Sequence, residues 1–266
     1  MEFSNTRTIG FAAIVCFVCS IFVAASAVGL KDRQNENEIL DRQKKVLEVA
    51  LSGTEEGKAL FAQVSQDPAK IKETYTSRIK PKLVSLKAEG DGCEGQDPEK
   101  FDQQRFVKNP ETSTDVSGNK AKVQRTPHCA KVFHVRSADN PEKVEALILP
   151  VEGKGLWSTL YGYIALSPNG VDITGLTFYK HAETPGLGGE VDNPKWKAQW
   201  SGKQAFKTGS AAPALRVEKG KAKDNYSVDG LSGATLTSNG VTHLLQFWLG
   251  ERGFGPYIKT FAGEQK

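Results

Sequence analysis

The chain is poor in the residues that hold metals. Its 266 positions include only four cysteines and four histidines. The histidines are scattered, and no Cys-x-x-Cys pair is followed by a second, which excludes the usual zinc and iron–sulfur patterns. Neither a Gly-x-Gly-x-x-Gly fingerprint nor a Gly-Lys-Ser/Thr phosphate loop occurs, so a dinucleotide site of that type and a P-loop are excluded. An excess of one charge is also lacking. The 35 Lys and Arg face 31 Asp and Glu, for a net charge of +4. The two signs are interspersed, which argues against a nucleic-acid-binding face and for an ordinary solvated surface. No internal repeat is present. With 38% hydrophobic and 25% charged residues, the composition is globular rather than disordered, and the length suffices for one or two domains.

The first thing present in quantity is apolar sequence near the start. Ile9 to Leu30 carries no charge and as a helix spans roughly 30 Å, the thickness of a bilayer core. Lipid cannot satisfy backbone polar groups, so a helix is required there. Ala25-Ser26-Ala27 resembles a signal-peptidase site. Against cleavage stand the length of the run and its weak basic flank, the lone Arg7. The reading is an uncleaved transmembrane helix over 9–30 behind a short cytoplasmic tail, 1–8, with the body outside. Cys16 and Cys19 share a face of that helix as small lipid-facing or packing residues. A disulfide between Cys93 and Cys129 is open to a body in an oxidising compartment, but spacing alone does not decide it.

In the body, apolar residues at three- and four-residue steps predict a helix over 34–51, with further helices over 54–64 and from Asp67-Pro68 to Ser77. Residues 88–126 are polar and read as a long loop. Strands are expected at Lys131–Arg136, Val144–Leu149, Leu160–Leu166 and Val171–Lys180, the last two joined by a Ser-Pro-Asn-Gly turn. A short helix follows Asn193-Pro194. A last helix, from about Ser238, places Val241, Leu244, Leu245, Trp248 and Leu249 on one face and is ended by Gly250 and the later Gly255-Pro256. This order of elements indicates an α+β fold.

Three segments carry possible chemistry. His181-Ala-Glu-Thr-Pro-Gly-Leu-Gly-Gly-Glu190 has glycines that let backbone approach a ligand, or that simply make a turn. Val228-Asp-Gly-Leu-Ser-Gly-Ala-Thr-Leu-Thr-Ser-Asn-Gly240 precedes a helix, whose N-terminus attracts phosphate. The plain alternative is a capping stretch with Ser238 as N-cap. Gly153-Lys-Gly-Leu-Trp-Ser-Thr-Leu-Tyr161 offers a Trp that packs either against a flat ring system or in the core.

Asp229-Gly-Leu-Ser-Gly-Ala-Thr235 matches the flavinylation motif Asp-Gly-x-Ser/Thr-Gly-Ala-Thr/Ser of covalent FMN-binding domains. With Gly-Lys-Gly-Leu-Trp-Ser, Glu-Thr-Pro-Gly-Leu-Gly and the N-terminal anchor in the same order, the whole chain resembles the C subunits of the bacterial Na+-translocating NADH:quinone oxidoreductase. That resemblance implies a single transmembrane helix, a helical region with a long polar loop over 31–130, and a periplasmic FMN-binding domain over 131–266. It implies one FMN, bound to Thr235 through its phosphate by a dedicated flavin transferase. Ser232, Gly233 and Ala234 are then expected at the phosphate end. Glu183, Thr184, Gly186, Leu187, Gly188, Leu156, Trp157 and Ser158 are expected near the ring, with Lys207 and His243 as outlying contacts. The implied role is electron relay between an iron–sulfur centre and a second covalent FMN on partner subunits. The setting is a six-subunit inner-membrane complex that reduces quinone with NADH and exports Na+; nucleic acid has no part in it. The G subunit of the related ferredoxin:NAD complex shares the motif, but usually has a shorter body than the helical region here. A non-redox anchored module is the remaining reading, and cofactor loading separates it from the others.

Overall fold

A computed structural model describes residues 5–87 and 90–265. Positions 1–4 of the expected tail and the first two positions of the expected polar loop lie outside the described residues. The chain divides into two units between Arg42 and Gln43.

The first unit consists of helix. α1 runs unbroken over Asn5–Ala50 and includes an apolar window long enough to cross a bilayer, none of it buried by protein. The expected span over 9–30 and the expected helix over 34–51 are continuous, because Lys31 to Ala50 contains neither Gly nor Pro and nothing there interrupts helical hydrogen bonding.

The second unit begins with the last turns of α1, where Val46, Leu47 and Val49 are buried. α2 (Glu55–Val64) and α3 (Pro68–Arg78) follow, capped by the side chains of Thr54 and Asp67. Then come β1 (Ile79–Ser85), α4 (Gln103–Lys108), β2 (Ser113–Asp115), β3 (Arg125–Pro127), β4 (Cys129–Arg136), β5 (Val144–Lys154), β6 (Thr159–Leu166) and β7 (Ile173–Lys180). The chain ends with α5 (Pro194–Ala198), β8 (Arg216–Val217), β9 (Ser227–Val228), α6 (Thr235–Leu249) and α7 (Gly255–Glu264). Five strands make one antiparallel sheet in the order β1-β4-β5-β6-β7. The α+β expectation holds.

Three local expectations need correction. Residues 79–85, expected in a helical region, form strand β1. Its alternation is hidden by Lys80, Pro81 and Lys82, residues suited to an edge strand because they discourage further pairing. The 88–126 stretch is not featureless: it holds α4, β2 and β3, and a Cys93–Cys129 disulfide with Cα atoms 4.9 Å apart pins it to the start of β4. Gly255-Pro256 does not merely end α6; Pro256 opens α7, a position where its missing N–H costs nothing.

One sheet face is closed by α6. Val241, Leu244, Leu245 and Trp248 join Leu147, Leu149, Val151 and Ile164 in a single buried cluster. Contact is close enough that a side chain at Gly153 would run into Leu244, and the Trp248 indole donates to the Glu152 carbonyl at 2.7 Å. At β7, a side chain on Gly175 would collide with Ser52 and Val49, and the Ser52 hydroxyl donates to the Thr174 carbonyl at 2.8 Å.

The Glu152 side chain alternates to the other face, and burial pushes its pKa from 4.5 up to about 7. The folded state therefore favours the protonated form. This group's contribution to stability is complete below about pH 4.5 and is lost as pH rises toward 7, by about 3 kcal/mol. Glu152→Gln is expected to remove that slope and to exceed the parent in stability above pH 7. Urea unfolding midpoints at pH 5, 6, 7 and 8 check this, and parallel profiles for the two proteins would refute it.

Candidate functional site

The end of β5, the start of β6 and the end of β7 meet at one end of the sheet, so the turn 155–158 and the loop after Lys180 lie side by side. The N-terminus of α6 completes the group. A side chain on Gly240 would strike the Lys154 carbonyl and lie 3.2 Å from Gly155, and one on Gly188 would lie 2.6 Å from the Thr237 hydroxyl. The three sequence segments thus come together in space.

Glu183 sits at their junction, 5% exposed. Its carboxylate accepts the N–H groups of Leu156 (3.2 Å), Trp157 (3.0 Å) and Ser158 (3.0 Å). It also accepts the Thr237 hydroxyl at 2.7 Å. Burial alone raises its pKa, but the Thr237 hydroxyl and the three backbone donors outweigh this and hold it below the usual carboxylate value. The carboxylate faces into the protein, so Glu183 lies beneath the site rather than on its open surface. Its own N–H donates to His181 Nδ1 at 3.2 Å, and His181 Nε2 pairs with Asp192 at 2.8 Å.

Asp229, Gly230 and Gly233 each have a plain structural role in the Asp229–Thr235 segment. The Asp229 carboxylate accepts the Ala222 N–H and pairs with Lys221, both at 2.8 Å. Its carbonyl accepts the Trp196 indole N–H at 2.8 Å. Asp229 thus anchors the segment to neighbouring turns. Gly230 packs against the Glu218 carbonyl, with no room for a side chain. Gly233 has φ +69°, in the left-handed region, and a Cβ there would lie 2.9 Å from Leu187.

The expected Ser238 cap is not found. Helix α6 begins three residues earlier, and Ser238 is its fourth residue, its hydroxyl accepting the Leu231 N–H at 3.2 Å. The N-cap is Ala234, which has no side-chain oxygen to offer. The N–H groups of Thr235, Leu236 and Thr237 therefore have no intrahelical acceptor and no side-chain cap. The hydroxyls differ sharply. Thr235 and Ser232 are exposed, whereas Thr237 is 0% exposed and held by Glu183.

Apolar exposure concentrates at the same place. Among the described residues from Gln43 onward, the large apolar side chains left exposed are Leu156 (41%), Trp157 (67%), Leu187 (44%) and Leu236 (60%). Trp157 is therefore not a core residue. Leu236 escapes sequence reasoning, though it is the lone large apolar residue in a Ser/Thr/Asn/Gly stretch on the polar side of α6. Thr184 and Gly186 lie exposed in the loop beside Leu187. The Lys207 ammonium lies 5.9 Å over the Tyr226 ring. His243 is half-buried on α6, with burial lowering its pKa.

These residues fit FMN. An uncapped helix start with an exposed hydroxyl suits a phosphate, and an open apolar collar suits a flat ring system. Among the described residues no group of His, Cys, Asp and Glu is arranged to hold a metal ion.

Comparison with known proteins agrees with this assembly. The FMN-binding domain family matches residues 155–250, which include the 181–190 and 228–240 segments whole and the 153–161 segment from Gly155 onward. The C subunit of the Na(+)-translocating NADH-quinone reductase of Yersinia pestis is 40% identical over 261 residues, covering 95% of this chain and 91% of that protein. Its Pseudomonas aeruginosa counterpart is 42% identical, covering 96% and 95%. The crystal structure of Shewanella oneidensis NqrC superposes with a TM-score of 0.67 at 35% identity, covering 73% of this chain and 88% of that one. With about 40% identity sustained over nearly its full length and a shared fold, the chain belongs to the NqrC family, the C subunits of the Na(+)-translocating NADH-quinone reductase.

Proposed function

We propose that this chain is an electron-carrying subunit whose FMN is joined to the Thr235 side-chain oxygen by a phosphoester bond. The observation that carries the reading is the contrast at the start of α6. Thr235 is exposed beside three N–H groups that lack an intrahelical acceptor, while Thr237, two residues on, is buried and already engaged. Ser232, Gly233 and Ala234 would hold the phosphate end. Thr184, Gly186, Leu187 and Gly188, with Leu156, Trp157 and Ser158, would surround the ring. Bound FMN supplies the electron acceptance and donation that a relay between partner subunits requires. The chain supplies the tether, the orientation and an apolar surround.

The relay belongs to NADH-driven quinone reduction coupled to Na+ export, within a complex of six subunits. A dedicated flavin transferase installs the FMN. The apolar part of α1 supports a single-pass anchor in the bacterial inner membrane, and the Cys93–Cys129 disulfide supports a body in the oxidising periplasm.

The test is mass spectrometry of the chain co-expressed with the flavin transferase. The intact chain is expected to gain the mass of FMN less one water, and fragmentation is expected to place that gain on Thr235. An unmodified, colourless chain, or a flavin mapped to Ser232, would sink the assignment. Mass measurement of the unreduced chain checks the disulfide by the loss of two hydrogens.

A further inference from the structure

Glu183 is a carboxylate built into the chain at a place shaped for an anion. Successive backbone N–H groups that converge on one point make an anion-binding concavity. Leu156, Trp157 and Ser158 form one here, and Glu183 fills it. The surrounding sequence leaves room for it: a Cβ on Gly155 would lie 2.6 Å from one carboxylate oxygen, and a Cβ on Gly188 2.8 Å from the other. Three other hydrogen bonds touch the turn, and none of them reaches the N–H groups of Leu156, Trp157 or Ser158. The Gly155 N–H donates to the Ser158 carbonyl at 2.8 Å, the Ala182 N–H donates to the Ser158 hydroxyl at 2.7 Å, and the exposed Lys154 ammonium reaches the Trp157 carbonyl at 3.1 Å. Yet this turn displays Leu156 and Trp157 to solvent, where no packing holds them.

We propose that Glu183 is a positioning residue. Its carboxylate clamps the Leu156–Ser158 turn to the start of α6, so that the open apolar side chains of Leu156 and Trp157 stand beside Thr235 as a preformed ring-binding wall. The proposal rests on the assignment of Thr235 as flavin carrier. It replaces direct flavin contact, the role expected from the resemblance, with an action through the turn.

Glu183→Gln is the informative variant. The amide keeps the size and one acceptor oxygen, but turns an NH2 group toward donors that need an acceptor. Hydrogen exchange on the flavin-free chain is the first readout. In the parent, the amides of Trp157 and Ser158 are expected to exchange slowly despite their place in an exposed turn. In E183Q they are expected to exchange at least about tenfold faster, as loss of charge-assisted hydrogen bonds requires, while β6 and α6 amides keep their rates. The second readout is the flavin midpoint potential of the loaded chain. It is expected to shift positive in E183Q, because a fixed negative charge near the ring has been removed.

Parent amides that exchange as fast as open chain, or an E183Q turn as protected as the parent's, overturn the proposal. So does acceleration across the whole sheet with an unmoved potential, which marks a merely structural role. Should E183Q not fold, the parent measurement decides. An unflavinylated parent chain would refute the Thr235 assignment but leave the exchange test of Glu183 intact.

Discussion

Thr235→Val, co-expressed with the flavin transferase, is expected to give a folded chain that retains no flavin through denaturing electrophoresis. Valine has nearly the shape of threonine and lacks only the hydroxyl. At an exposed helix start whose side chain caps nothing, the stability change should stay within about 0.5 kcal/mol. The chemical change is total, because the neighbouring hydroxyls are no substitutes. Thr237 is buried beneath Gly188 and donates to Glu183, so an incoming phosphate would have to break that bond and displace the loop. Ser232 is exposed, but it precedes the left-handed Gly233 and lies outside the helix N-terminus that favours the phosphate. Thr235→Ser is accordingly expected to stay fluorescent in the gel, as are Ser232→Ala and Thr237→Val. A fluorescent Thr235→Val band, with the flavin mapped to another residue, would refute the reading.

The second large effect is on stability. Trp248 is 1% exposed, lies within the cluster between α6 and the sheet and has its indole N–H satisfied by the Glu152 carbonyl. Trp248→Ala opens a large cavity and is expected to cost about 4 kcal/mol. For a domain of this size that lowers Tm by roughly 10 °C. Trp248→Phe keeps most of the packing but orphans the carbonyl, and is expected to lie between the two. Thermal unfolding of the three proteins tests this. An alanine variant within about 1 kcal/mol of the parent would mean that α6 does not carry the core as described.

Much of this architecture is legible in the sequence, and the exceptions share a cause. Strands β4 to β7 are legible because their residues are β-branched or apolar and bounded by turn signals. The face of α6 is legible from its three- and four-residue spacing. Strand β1 is not, because an edge strand is selected for poor strand character. The start of α6 is misread because a run of Ser, Thr and Asn offers several caps, and the observed one, Ala234, is the residue that propensity ranks last among them. At the site, the motif points to Thr235, and only the fold shows that Thr235 is exposed while Thr237 is buried. That difference comes from Glu183, more than fifty positions away in sequence, and no local pattern contains it. Nothing in the Lys207 segment reveals that its ammonium lies 5.9 Å over the Tyr226 ring.

The docking of the last turns of α1 onto β7 has a consequence for biogenesis. Ser52 and Thr174, which hydrogen-bond to one another, are separated by 122 residues. At ordinary translation speeds, Val49 is synthesised on the order of ten seconds before the strand it packs against exists. Over that interval the nascent chain carries an apolar seam with no partner and cannot close its domain vectorially from the N-terminus. High contact order of this kind slows folding and prolongs exposure to aggregation. For the same reason, a soluble version cut at the end of the helix would leave the Gly175 surface of β7 uncovered. One that starts at Gln43 or earlier retains the segment that seals it.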